Sequence, residues 1–271
     1  MKSYDFCKLA AVISYLRATQ ELAGKDGDGE VWPKHINGYH RPNVEEARRQ
    51  CELIELAGSV HRCDLFLRAL KLGLRWFELK NQARVLSEAI EGELGRHRFV
   101  FVTTTKATIH DNVSKEWADV WAKFPSSKED VEHAVECYAL ELDTACIFHL
   151  MRVAERGLHA LAKERKVRLP KDRPLEFAQW QPIMMEIDKS VEKIANRKVG
   201  PARASALEFY EGALGQLRAF KDLYRNPVMH SRGDYDEYQA ASALLHVRDF
   251  MKRLSTKIDE NPKKSIKWGI R

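Results

Sequence analysis

An all-α fold is what the sequence predicts, and three observations carry that prediction. Glycine (14) and proline (9) are scarce for 271 residues, which disfavours the many turns of an all-β protein. Apolar residues recur three and four apart through most of the chain, the period of one face of a helix. Only "RFVFVTTT" at residues 98–105 is rich in β-branched and aromatic side chains. One short strand has no partner with which to form a sheet, so this run is expected as a local extended piece.

Taken in order, Phe6, Leu9, Ile13 and Leu16 mark a first helix over residues 4–22. "GKDGDGEVWPKHINGYHRPN" breaks the pattern with Gly, Pro and Asn and is expected as a loop. Val44, Ala47, Cys51 and Ile54 restart the helical period. Gly58 and Ser59 interrupt it, and helices are expected over residues 60–80 and again over 82–94. Pro125 closes this part, so residues 1–125 are expected as a mostly helical N-terminal region, to which no motif assigns a role. Ser126 with Glu129 is a capping-box pattern, hydroxyl and carboxylate each satisfying a free backbone N–H; it places a helix start near Ser127. The pattern turns polar around residues 141–143, and a longer helix follows to about Lys163. Next come a basic linker, "KERKVRLPKDRPLEF", a helix in "WQPIMMEIDKSVEKIANRK", and a long helix traced by Leu207, Tyr210, Leu214, Leu217 and Tyr224. Asp234 with Glu237 repeats the cap pattern before a last helix marked by Ala240, Leu244, Val247, Met251 and Leu254. The second domain is thus expected over residues 126–258, with a basic tail over 259–271. From Met251 onward seven Lys/Arg face two acids, and this end is expected to fray with its charge open to a polyanion.

A hydrophobic fraction of 44% supports a sizeable core, and a net charge of +6 is compatible with a nucleic-acid partner. The five cysteines are odd in number and form no C-x-x-C pair, which argues against a disulfide framework and a zinc ribbon. His35, His40, Cys51, His61 and Cys63 are loosely grouped, but their spacings match no common metal site. Neither a metal nor a cofactor is expected. No apolar run approaches ~18 residues, so no membrane span is expected. The N-terminus lacks the small-residue cleavage site of a signal peptide. A cytoplasmic location follows.

The helix ending near Lys163 is two-faced. Cys146, Leu150, Val153, Gly157 and Leu161 form one row and Ile147, Met151, Ala154 and Leu158 the row beside it. His149, Arg152, Arg156, His159 and Lys163 share the opposite face. That stripe carries no acid of its own beyond Glu155 at its margin. It is either a solvated face or a surface for RNA, and His149, Arg152 and Arg156 are its candidate RNA contacts.

"KDLYRNPVMHSRGDYDEYQAAS" occupies residues 221–242. Asn226-Pro227 ends the helix that carries Arg225, because the residue before proline is pushed out of the helical region. Arg225 and His230 are thereby held near one helix end. Arg225 can cap the carbonyl end of its own helix and His230 can be a packed turn histidine; the same two side chains also have the chemistry of RNA cleavage. RNA carries its own nucleophile, the ribose 2′-OH. An imidazole of ordinary pKa near ~6.5 accepts a proton at neutral pH, and a guanidinium offers a planar fork of donors to phosphate oxygens.

"RNPVMH" resembles the R-x4–6-H signature of HEPN domains. The order of elements is similar too: an antiparallel helix pair, a linker, a long helix ending in the motif, and a last helix. "FPSSKEDVEHAVECYALELDTACIFHLMRVAERGL" looks like the opening helix pair of a bacterial HEPN branch. The resemblance covers residues 126–257, roughly half the chain. It implies a HEPN-like helical bundle and a metal-independent endoribonuclease that cleaves by 2′-OH attack, of the kind found in toxin–antitoxin pairs and abortive infection against phage. Arg225 and His230 are then catalytic, in a composite site built across a homodimer. Asn226, Glu155 and Ser231 are supporting residues, with Glu155 paired to Arg225 or Arg152, and Arg232 joins the RNA contacts. RNA, a second copy and an antitoxin or other regulatory protein are the implied partners. Pro227 departs from the acidic or small polar residue that many active members carry after "RN". The alternative is therefore a catalytically silent HEPN-like module that binds a partner protein or a nucleotide.

Overall fold

The computed structural model describes residues 6–22, 29–226 and 234–269. They form an all-α protein with no β-strand among the described residues, only an isolated bridge between Glu30 and Arg75. The chain divides into two compact units, one on each side of the Val100–Phe101 bond.

The first unit contains α1 (Phe6–Leu22), α2 (Arg41–Leu53), α3 (Ala57–Leu72) and α4 (Trp76–Leu94). Leu16, Val44, Cys51, Leu56, Phe66, Leu79 and Ile90 are buried together in its core. The segment expected as a loop is partly helical. Pro33–His35 makes one turn, with proline at a first-turn position where its missing N–H costs nothing, and Ile36–His40 continues into α2 as a π-helical turn. The helix expected over residues 60–80 is two helices. Gly73, at φ 87°, supplies the left-handed break between α3 and α4. Gly58 and Ser59 do not interrupt a helix but open one. The Glu93 carboxylate of α4 accepts bonds from Gly58 N (3.0 Å), Ser59 N (2.7 Å) and Ser59 Oγ (2.6 Å), satisfying free donors of the first turn of α3. Three of the loosely grouped cysteines and histidines sit in the core: Cys51 and Cys63 are fully buried, and the buried His40 has its Nδ1 3.0 Å from Tyr15 Oη, whereas His35 and His61 are exposed. Burial pushes His40 down to about 4, so the ring is neutral at neutral pH.

The second unit contains α5 (Thr104–Glu116), a single turn Ala118–Trp121, α6 (Lys128–Ala139), α7 (Asp143–Glu164), α8 (Trp180–Ala195), α9 (Pro201–Phe220) and α10 (Glu237–Ser255). Trp117, Val120 and Phe124 share one buried core with α6–α10. The second unit therefore begins before the boundary expected at residue 125; Pro125 opens a 3₁₀ turn inside it rather than closing the N-terminal region. The capping box expected at Ser126 does not form. Ser126 N donates to Glu260 Oε2 at 3.1 Å, and α6 begins at Lys128 with no side-chain cap. The cap of α10 is Asp236, reciprocally bonded with Gln239, rather than Asp234. The "RFVFVTTT" run has no regular secondary structure until Thr103, which is extended and caps α5.

Helix α7 lies at the centre, packed against α6, α8 and α10. A Cβ at Gly157 would stand 2.5 Å from Phe250 Cε1 and 2.9 Å from both Leu254 Cδ1 and Met251 Sδ, so this glycine is what lets α10 approach. The tail expected to fray is docked as far as it is described. Ser265 Oγ donates to Glu164 O (2.7 Å), Ile266 N to Glu164 Oε1 (2.7 Å) and Trp268 Nε1 to Tyr210 Oη (3.1 Å). Apolar contacts of Ile266 and Trp268 with the core explain why a charged end stays down. Among the described residues no helix is long and apolar enough to cross a membrane.

Candidate active site at the end of helix α9

Helix α9 runs into a π-helical turn, Lys221–Arg225, whose last residue is the arginine of the motif. Such turns are rare and occur often at functional sites. Asn226 follows it directly, donating its backbone N–H to Lys221 O. Tyr235 Oη donates to the carbonyl oxygens of Leu223 (2.9 Å) and Tyr224 (3.1 Å), and Tyr235 N donates to Thr144 Oγ1 (3.1 Å). The chain on both sides of residues 227–233 is thus fastened at one place. His230, Ser231 and Arg232 lie outside the described residues.

Arg225 meets two partners. Its Nη2 lies 4.0 Å from Glu155 Oε1 on α7, and its guanidinium carbon is 5.9 Å from the centre of the Trp180 ring at the start of α8. Trp180 is buried and donates its indole N–H to the same Glu155 oxygen at 2.7 Å. Glu155 is therefore held by a neutral donor and faces a cation. The Arg225 side chain retains 28% exposure, enough to present part of the fork to solvent. Glu155 does pair with Arg225, as expected, and not with Arg152. Trp180 and Tyr235 were not foreseen: the indole reads in sequence only as an apolar residue at a helix start. A cleft of about 600 Å³ opens beside Tyr235, lined by Leu142, Asp143, Thr144, Phe148 and Asp234.

The basic stripe of α7 is arranged differently from its appearance in sequence. Asp130 of α6 is buried under it, with its Oδ1 2.7 Å from Arg152 Nε and 3.2 Å from His149 Nδ1, and its Oδ2 2.9 Å from Arg156 Nη2. Burial alone would raise the Asp130 pKa. Hydrogen bonds from Arg156 and His149, with the charges of Arg152 and Arg156, outweigh it and hold the carboxyl below the usual range. The three candidate RNA contacts thus converge on one acid from the neighbouring helix. Lys163, lower on the stripe, donates to Asn261 at 3.0 Å. His159 is pushed down by burial, and its Nε2 has no partner among the described residues.

Among the described residues no group of three or more His, Cys, Asp or Glu side chains is placed to hold a metal ion. No family model, no curated protein and no solved structure matches the chain.

Proposed function

We propose that the chain is a metal-independent endoribonuclease of the HEPN type, with Arg225 and His230 as its catalytic pair. The observation that supports this best is the seating of Arg225: a π turn, a carboxylate and an indole ring hold a partly exposed guanidinium at the point where the motif begins. A fork oriented in advance stabilises charge developing on a phosphate without reorganising. In the proposed reaction His230 accepts the proton of the ribose 2′-OH, whose oxygen attacks the adjacent phosphorus. Negative charge builds on the non-bridging oxygens facing Arg225, and the 5′-oxygen leaves after taking up a proton. The products are a 2′,3′-cyclic phosphate and a 5′-hydroxyl. Asn226 orients the phosphate beside Arg225, with Ser231 and Arg232 following His230 along the backbone. Arg152, whose side chain is 53% exposed, can hold Asp130 through Nε while its outer nitrogens reach a phosphate; Arg156 and His149 are more enclosed. A second copy supplies a second Arg225 and His230, and a toxin or anti-phage effector of this kind works in the cytoplasm under an antitoxin.

One observation favours a different reading. Arg225 already faces Glu155, and Asp130 already neutralises part of the basic stripe, as suits a catalytically silent module that binds a protein or nucleotide. An RNA-degradation assay in the presence of EDTA separates the two, comparing wild type with Arg225→Ala and His230→Ala and recording the melting temperature of each sample. Loss of cleavage with an unchanged melting temperature supports the enzyme. A wild type that degrades no RNA, or variants that cleave at the wild-type rate, contradicts it.

A further inference from the structure

The first unit presents three rings from one short segment to solvent. Trp32 precedes the Pro33–His35 turn, and Tyr39 lies in the π turn that follows. Val31 just before Trp32 and Ile36 between the two rings are buried, while Trp32 is 70% and Tyr39 49% exposed. His35 is also exposed, with its ring 6.0 Å from that of Trp32. The row is held rigidly. Val31 N donates to Leu74 O (2.8 Å) and Trp76 N to Gly29 O (3.0 Å), fixing the strand-like approach to Trp32. Tyr39 rests edge-on against Tyr15 (5.6 Å) and His40 (5.2 Å), which are buried and bonded to each other, and its carbonyl accepts from Asn43 Nδ2 (2.7 Å). Burying a Trp and a Tyr would stabilise the chain; leaving both outside on a fixed support is the arrangement of a binding surface.

Between the flanking acids Glu30 and Glu45 the segment that carries the rings has only basic charges. From Val31 to Asn43 the sequence has no Asp or Glu, and it carries Lys34 and Arg41 besides two histidines. Lys34 is exposed, and Arg41 is half-buried, its inner Nε enclosed and without a hydrogen-bond partner among the described residues. Exposed aromatic faces with cations between them match a single-stranded nucleic acid: bases stack on the rings and phosphates meet the cations. A duplex keeps its base faces inside the stack, so it offers the rings nothing. An acidic peptide would use the cations but leave Trp32 and Tyr39 with no counterpart.

We infer that Trp32, His35 and Tyr39, with Lys34 and Arg41, form a stacking platform for single-stranded nucleic acid in the first unit. The platform binds; it has no part in bond cleavage, and it stands or falls separately from the reaction assigned to the second unit. The test is fluorescence anisotropy of the full chain with a labelled, single-stranded 2′-O-methyl oligouridylate, which has no free 2′-OH to attack and so reports binding whether or not the protein is a nuclease. Trp32→Ala and Tyr39→Ala should each weaken binding about tenfold, the scale of one lost base–ring stack, whereas Trp32→Phe retains most of the affinity. Lys34→Ala should flatten the log–log salt dependence by about 0.7. The same oligonucleotide annealed to its complement should bind far more weakly. Both replaced rings are exposed, and melting curves of each variant confirm that the fold is kept. Wild-type affinity in Trp32→Ala and Tyr39→Ala overturns the inference, as does absence of binding by the wild type. A change of sedimentation behaviour in Trp32→Ala with unchanged oligonucleotide affinity also overturns it, because the rings would then serve a protein contact.

Discussion

Oε1 of Glu155 lies 4.0 Å from Nη2 of Arg225, and the same oxygen accepts the buried indole N–H of Trp180 at 2.7 Å. The two contacts differ in weight. A partly exposed ion pair contributes about 0–1 kcal/mol, whereas a buried donor that loses its acceptor costs about 1–3 kcal/mol. Glu155→Ala should therefore lower stability by about 1–2 kcal/mol, and Glu155→Gln, which keeps an acceptor for Trp180, by less. Urea denaturation checks this order. RNA cleavage should fall in both variants, since each removes the charge that orients Arg225; cleavage unchanged in Glu155→Ala would leave the carboxylate with a purely structural role.

Asp130 makes a second, more buried demand. Removing the carboxylate leaves Arg152, Arg156 and His149 crowded without their common acceptor. Breaking a fully buried pair costs roughly 3–5 kcal/mol, and the exposure of Arg152 reduces that here to about 2 kcal/mol for Asp130→Ala. The folded pKa of Asp130 is depressed, so its contribution is present above the ordinary carboxylate pKa and is lost as pH falls through the lower folded value. The stability gap between wild type and Asp130→Asn should thus narrow in acid. Arg152→Ala with Arg156→Ala should lower the melting temperature by the same logic. An unchanged melting temperature in that double variant would contradict the central place given to Asp130.

Glu164 has the opposite sign. It is fully buried, and burial raises its pKa despite bonds from Ile266 N and Tyr210 Oη and the nearby Arg165 charge. The folded state holds this proton more tightly than the unfolded chain. Stability should therefore decline as pH rises from the ordinary glutamate value through the raised folded one. Glu164→Gln keeps an acceptor for Ile266 N without the charge, so it should flatten that decline and leave stability at neutral pH equal or higher. Thermal melts across pH for the two proteins measure it.

Gly157 tests the packing of the central helix. The nearest atoms to an added methyl belong to Phe250, Leu254 and Met251, all buried on α10. Alanine is the better helix former by about 1 kcal/mol, but overpacking costs about 1–3 kcal/mol. Gly157→Ala should be net destabilising. A stabilised variant would mean that α7 and α10 are less tightly apposed than the structure has them.

The helices of α7 and α9 were legible because their apolar rows are long and regular, and Arg225 and Glu155 were singled out from residue type and position. What sequence concealed was non-local. The partner of Arg152 and Arg156 sits on another helix, at Asp130, inside a charged run, "KEDVEH", that looks like an ordinary exposed first turn. Trp180 reads as an apolar residue, and nothing local reveals that its N–H is aimed at Glu155. The docked tail was misjudged because its lysines outnumber the few apolar residues that hold it, Ile266 and Trp268. The π turns at Ile36–His40 and Lys221–Arg225 leave no periodic signature of their own, since each shifts the helical register by a single residue.

The measurement closest to the central claim is the chemistry of the RNA ends produced by the full chain in the presence of EDTA. Attack by the ribose 2′-OH, with Arg225 on the phosphate and His230 on the proton, predicts fragments ending in 2′,3′-cyclic phosphate with 5′-hydroxyl partners, and their disappearance in Arg225→Ala. Fragments with 5′-phosphate and free 3′-hydroxyl ends, cleavage that EDTA abolishes, or no cleavage of any RNA would contradict it.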